Sequence, residues 1–490
     1  MMGKSSDKRI LCGQVFVAMA FLCSFFGILT SDLRPEDQLI LALMVSILTL
    51  LHFIGLAFLR QNKSASLIFV FLATYIWIAY PIQFLITLHD PQSSDFLLTF
   101  FRPEVIQKEI VAAFYTVFPG IIALFTGLLI GRNNFSSNFS SSNYVLRHSF
   151  FIIIIVGLML LKVFVQAMGI GMPGITPEAL PIPFLVGFLA WLTRSALFAI
   201  VNLYFYSVLR FGDHKGLLIA LSLLFINILI ALRVGWKTEL VLQGLLMAYY
   251  ILDTYDDMST ARRRLIYLIT LLSIVGMLIL YPLINVYRHQ LSNEQDFSNT
   301  IARTGDAIEK TDTDSSLHSF LDRVNGIRAY YLAIKLGSGR EFPLESLLNQ
   351  NVPELVKERL YGRDKDKAVT AFGTTQLSVL YLIGGVPFLI LGCLIIGVTI
   401  RWTGRYINKR IFLSSVTFEA YVPFFSILWV QVLASGGGIP LLMKQFGLVL
   451  GCLFAMERLC YKKRELSVTN DELHSTPVEH EPKFESRPYV

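Results

Sequence analysis

Residues 265–284 read LIYLITLLSIVGMLILYPLI, and residues 376–400 read QLSVLYLIGGVPFLILGCLIIGVTI. Neither run contains a charged residue. Each is long enough to cross a hydrocarbon layer of roughly 30 Å as a helix rising about 1.5 Å per residue. Between them, from Asn285 to Thr375, lies the one extended polar segment in the interior of the chain, about 90 residues long. It is rich in arginine (Arg288, Arg303, Arg323, Arg328, Arg340, Arg359 and Arg363) and carries Asp and Glu in nearly equal number, so it is not simply a basic patch. This alternation of membrane helix, polar loop and membrane helix decides how the rest of the chain is read.

Further apolar runs recur along the sequence, at about 10–30, 39–59, 67–88, 110–130, 149–169, 184–208, 216–233, 240–252, 265–284, 376–400, 411–434 and 439–456; the run at 240–252 is short for a bilayer, and its helix is expected to start nearer Trp236. Hydrophobic residues make up 54% of the 490 and charged residues only 16%, against about a quarter in soluble chains. The run Ile10–Thr30 is long for a signal peptide and lacks a small-residue cleavage site, so it reads as a retained helix. The five cysteines lie in apolar runs or beside the last one, with no CxxC or Cys/His cluster, which argues against a disulfide framework or a zinc site.

The net charge of +7 does not indicate nucleic-acid binding, because the basic residues cluster in short loops between apolar runs. Arg60 and Lys63, Arg132 and Arg147, Arg210 and Lys215, Arg262–Arg264, and Arg401–Arg410 occupy alternate loops, on the side shared with Lys4, Lys8 and the tail residues Lys462 and Lys463. The positive-inside rule then places both termini in the cytoplasm and the long loop outside. The expected fold is an all-α polytopic integral membrane protein of about twelve transmembrane helices. Residues 1–284 hold helices 1–9, and 285–375 form one large extracytoplasmic loop with an amphipathic helix over 317–336. Residues 376–460 hold helices 10–12, and 461–490 form a disordered cytoplasmic tail.

Several places can carry chemistry. Over Leu317–Leu336, Leu317, Phe320, Val324, Ile327, Tyr331 and Ile334 share one helical face, flanked by Arg323 and Arg328. An arginine held at the edge of a buried stripe suits phosphate or carboxylate recognition. The same pattern also describes a surface helix whose arginines snorkel to lipid headgroups. Arg233-Val234-Gly235-Trp236-Lys237-Thr238-Glu239 places two cations and a carboxylate at a helix start, which reads either as a phosphate seat or as an interfacial anchor. Arg194 and Lys162 fall inside apolar spans, where a charge costs at least a few kcal/mol and marks a functional candidate; snorkelling or a structural pair is the plain alternative. Glu178, Glu239, His89, His289 and His318 are outward acids and histidines, each open to a general-base role or to ordinary solvation. There is no Walker A, GxGxxG or HExxH motif, and the first outer loop, with Asp32, Glu36 and Asp37, has no DxD-type metal pair.

Three stretches together resemble the bacterial O-antigen polymerase (Wzy-type) family and the related O-antigen ligase superfamily. They are Gly235-Trp236-Lys237-Thr238-Glu239 before an apolar helix; Arg323-Val324-Asn325-Gly326-Ile327-Arg328-Ala329-Tyr330-Tyr331-Leu332-Ala333-Ile334-Lys335 in the large loop; and Phe372-Gly373-Thr374-Thr375-Gln376-Leu377 leading into the next span. The resemblance covers about residues 216–400, and its motifs are short. Gly373-Thr374-Thr375 stands where the ligase branch has a histidine, so the polymerase branch fits better.

The resemblance implies a GT-C-like glycosyltransferase of the bacterial inner membrane. It would join undecaprenyl-diphosphate-linked repeat units into O-antigen, capsule or exopolysaccharide without metal or other cofactor. A hydroxyl of one glycan attacks the first sugar carbon of another and expels polyprenyl diphosphate. Arg323, Arg288 and Lys237 are the expected catalytic cations, with Glu239 or His289 as base and Arg328, Arg233 and Arg194 gripping the diphosphate. The implied partners are polyprenyl-diphosphate-linked oligosaccharides, the lipid bilayer, a flippase and a chain-length regulator; nucleic acid is not among them. A ligase-type glycan transferase, a secondary transporter and a recruiting scaffold remain alternatives. The transporter class expects internal repeats and matched broken helices, and the sequence displays neither.

Overall fold

In the computed structural model the described residues are 3–58, 63–98, 100–130, 144–170, 183–211, 214–233, 326–337, 375–406, 418–434 and 461–463, with isolated positions near 243–250, 356 and 447–459. Their helices are α1 (Gly3–Leu29), α2 (Pro35–Phe58), α3 (Lys63–Trp77), α4 (Gln83–His89), α5 (Asp95–Leu98), α6 (Pro103–Leu129), α7 (His148–Ala167), α8 (Pro183–Trp191), α9 (Leu197–Phe211), α10 (His214–Arg233), α11 (Ile327–Leu336), α12 (Gln376–Tyr406) and α13 (Phe418–Ala434). Among the described residues, seven helical segments, from Pro35–Ala57 to Gln376–Arg405, are long and apolar enough to cross a membrane. The protein is an all-α, membrane-embedded bundle.

The helix surfaces show why. Along α1 and α2 the large apolar side chains Leu11, Met19, Phe26, Leu39, Leu43, Leu50 and Ile54 point outward, while Val17, Ala20, Ile28, Leu41, Val45 and Leu48 point inward. A helix that is apolar on both faces is stable only with lipid on one of them. The interior is aromatic: Trp77, Phe69, Phe84, Phe114 and Phe125 are fully buried. His52 is buried among them, edge-on to Phe125 at 4.3 Å, and its Nδ1 lies 2.6 Å from the Leu48 carbonyl.

α6 and α12 pack backbone to backbone. A Cβ on Gly127 would lie 2.4 Å from the Leu394 carbonyl oxygen, and one on Gly397 would lie 2.2 Å from that of Leu124. Only glycine permits this approach, as at small-residue contacts between membrane helices. α12 is broken at Gly384–Gly385, where Gly385 has φ 67°, and Pro387 follows. A hydropathy reading passes straight through this Gly-Gly-x-Pro, so an unbroken span was expected there and a broken helix is found. Two further interruptions are π-turns, at Ile78–Ile82 around Pro81 and at Leu192–Ala196 around Arg194.

Two short strands, β1 (Tyr144–Leu146) and β2 (Tyr461–Lys463), pair antiparallel. They bring the segment before α7 and the start of the tail to the same end of the bundle. The tail was expected to lack structure from residue 461; its first three residues instead form β2, because a partner strand supplies their hydrogen bonds.

Candidate functional site

The π-turn at Ile78–Ile82 leads into α4, and α4 ends at Asp90 in a tight turn. The Asp90 carboxylate accepts from the Gln92 N–H at 3.1 Å, and the Ser93 hydroxyl donates to the Asp90 carbonyl at 2.6 Å. One turn earlier, the Thr87 hydroxyl donates to the Gln83 carbonyl at 2.8 Å. Gln83, Thr87, Ser93 and Ser94 are all buried, giving this end of the bundle a row of inward oxygens.

Arg328 meets that row. Its Nε donates to Thr87 Oγ1 at 2.8 Å, its Nη2 to Ser93 Oγ at 2.7 Å and its Nη1 to the Ser93 carbonyl at 3.4 Å. Its backbone N–H donates to Gln83 Oε1 at 3.4 Å. Both hydroxyl protons are already committed to backbone carbonyls, so their lone pairs face the guanidinium. These hydroxyl, amide and carbonyl oxygens fix the guanidinium in place.

The helix that carries it, α11, lies in a wedge between α4, α6 and α12. Gly326, just before it, touches the π-turn; a Cβ there would sit 1.8 Å from the Ala79 carbonyl oxygen. On the α6 side, Tyr331 donates to Glu109 Oε2 at 2.9 Å and Lys335 forms an ion pair with the same carboxylate. Tyr331 also packs edge-on to Phe101, and Tyr330 against Tyr381 of α12. Burial, and then Glu109 beside it, push the Tyr331 phenol well above its ordinary range; burial does the same to Tyr330. On the α12 side Thr375 caps the helix, its Oγ1 accepting from the Ser378 N–H at 3.0 Å.

The expectation for this stretch was one buried face with Arg328 at its edge. Instead every residue from Ile327 to Ala333 is buried, and Arg328 is only 2% exposed. The described part of the helix is inserted among the others rather than laid on a surface, and the polar oxygens of 83–93 make that burial tolerable.

Arg328 is thus the one expected site residue whose side-chain contacts are defined. Arg194 is exposed and lies in the π-turn that packs chiefly against α7, α8 and α9, away from α11. Arg233 is the last residue of α10. Arg323, Arg288, Lys237, Glu239 and His289 lie outside the described residues. Missed from sequence were Gln83, Thr87, Ser93 and Glu109; Tyr331 was read only as part of the apolar face, and Lys335 only as the end of the resembling stretch. The spacing of Gln83 and Thr87, four apart in an apolar run, was the available signal. Among the described residues no group of three or more His, Cys, Asp or Glu side chains is placed to hold a metal ion.

The fold and this wedge define the class: a polytopic, all-α membrane protein with a buried arginine at one end of its bundle. Compared with protein-family models, curated proteins and solved structures, the chain matches none.

Proposed function

We propose that the protein is a polymerase of polyprenyl-diphosphate-linked oligosaccharides, working at the outer face of a bacterial inner membrane. In this reading the chain has twelve spans and cytoplasmic termini, and residues 285–375 form the outer loop. The observation that carries the reading is Arg328, a loop-borne guanidinium pre-set by neutral oxygens where loop meets bundle. Glycosyl transfer from a lipid diphosphate builds negative charge on the leaving group, and a fixed cation in a low-dielectric wedge stabilises that charge more than water can.

An acceptor hydroxyl attacks the first sugar carbon, its proton passes to a base, and the sugar–phosphate bond breaks to release polyprenyl diphosphate. Arg323, Arg288 and Lys237 carry the developing charge, with Arg328 and Arg233 holding the diphosphate; Arg194, exposed in the π-turn beside α7–α9, takes no part in that grip. Glu239 or His289 takes the proton. Arginines supply the neutralising charge that a metal provides elsewhere.

The direct test is Arg323→Ala in cells that depend on the protein for polymer. The expected result is loss of long chains. Unchanged chain length and yield would remove the centre of the mechanism. A second reading, secondary transport, draws on a specific observation: α12 is discontinuous at Gly384–Gly385, as helices at transporter sites are. Uptake of a solute into vesicles without polymer formation would favour it.

A further inference from the structure

The pairing of β1 with β2 brings two arginines together. Leu146 pairs with Tyr461, so Arg147, the next residue after β1, and Arg458, three before Tyr461, leave the ribbon at the same edge. Strands pair about 4.8 Å apart and rise about 3.3 Å per residue, which sets the two arginine backbones on the order of 10 Å apart. Arg147 immediately precedes α7, and Arg458 follows the apolar helix Gly447–Met456.

Both arginines are exposed, and each lies over a phenyl ring about one helical turn away. The Arg147 guanidinium stands 5.6 Å from the centroid of Phe150, and that of Arg458 stands 4.7 Å from the centroid of Phe454. Phe150 is 47% exposed and heads a lipid-facing stripe that continues through Ile153 and Leu160; Phe454 and Leu459 are exposed beside Arg458. These surfaces have open space next to them, since a Cβ on Gly157 or Gly451 would meet nothing within 4 Å. Among the described residues neither guanidinium forms an ion pair or a hydrogen bond. The neighbouring sequence adds Lys462, Lys463 and Arg464 against Glu457 and Glu465. A basic residue that only fixes orientation needs to reach water. These two are turned onto apolar rings at the membrane boundary, where a planar guanidinium meets lipid phosphate.

We propose that Arg147 and Arg458 hold the two phosphates of one anionic phospholipid, of the diphosphatidylglycerol type, in the leaflet at this end of the bundle. Two guanidiniums set apart match two separate phosphodiesters better than the adjoining phosphates of a diphosphate, and the exposed apolar side chains take the acyl chains. The bound lipid bridges the start of α7 and the tail strand, and so stabilises the ribbon. None of these residues lies on α4, α6, α11 or α12, and the site does not depend on the polymerase reading.

Purified, delipidated full-length protein in detergent is titrated with tetraoleoyl diphosphatidylglycerol, dioleoyl phosphatidylglycerol or inorganic diphosphate, and bound copies are counted by native mass spectrometry. Wild type is expected to hold one diphosphatidylglycerol more tightly than either of the others. Arg147→Gln and Arg458→Gln should each weaken that binding about fivefold, and the double variant about twenty-fivefold, as for removing one or two cations beside an anionic lipid. Both side chains are exposed, so the variants should melt like wild type without lipid and should lose the rise in melting temperature that the lipid gives. Arg34→Gln, at an exposed position on α2, should bind as wild type does. Undiminished diphosphatidylglycerol binding by the double variant would overturn the proposal. So would an equal loss with Arg34→Gln, or equal binding of phosphatidylglycerol or of inorganic diphosphate.

Discussion

Arg328 Nε donates to Thr87 Oγ1 at 2.8 Å, joining two residues 241 positions apart in sequence. This bond ties the helix from the polar segment to the third apolar run. Thr87→Val keeps the shape and removes the acceptor. The expected loss is about 1–2 kcal/mol of stability, since bonds to a charged group exceed the small average for polar contacts between membrane helices. Thermal unfolding in detergent measures it; an unchanged midpoint would show that the bond does not hold α11.

The contact of Gly326 with the π-turn admits no side chain. Gly326→Ala should displace α11 and lower stability by about 1–3 kcal/mol, as overpacking does. By contrast, alanine at Gly157, where a Cβ meets nothing, should unfold at the wild-type temperature. Equal melting of the two variants would mean that the close approach is not sustained.

The Glu109–Lys335 pair lies at the rim, with both side chains about one-third exposed. Such pairs contribute about 1 kcal/mol or less and weaken with salt. Lys335→Met should therefore change the melting temperature little, and the difference from wild type should shrink in high salt. A large, salt-independent loss would show that the pair is more enclosed than its exposure implies.

Tyr331 gives a pH prediction with a fixed sign. Burial, and then Glu109, raise its phenol above the ordinary value near 10, so the folded state holds the proton more tightly than the unfolded one. The stabilising contribution is therefore complete below about pH 10 and is lost as pH climbs toward the folded value. The wild-type midpoint should fall more steeply than that of Tyr331→Phe between about pH 10 and 11. Parallel curves would contradict the assignment.

Much of the fold was legible because hydropathy is a long-range, averaged signal: the runs at 39–59, 110–130, 149–169 and 216–233 correspond to α2, α6, α7 and α10. What was not legible was local. The break in α12 depends on Gly384, Gly385 and Pro387, which an average over 25 apolar residues hides. At the site, Arg328 was visible as a charge on a periodic face, but its burial was not. Burial depends on Gln83, Thr87 and Ser93, and nothing in the spacing of residues 317–336 specifies which distant span will meet that helix.

Polymerisation is measured by incubating purified protein in detergent with undecaprenyl-diphosphate-linked repeat units, without nucleotide, and resolving the products on a gel. A ladder of longer glycans is expected with wild type, and its loss, despite a folded protein, with Arg328→Gln. No ladder from wild type, or an equal ladder from folded Arg328→Gln, would contradict the polymerase reading.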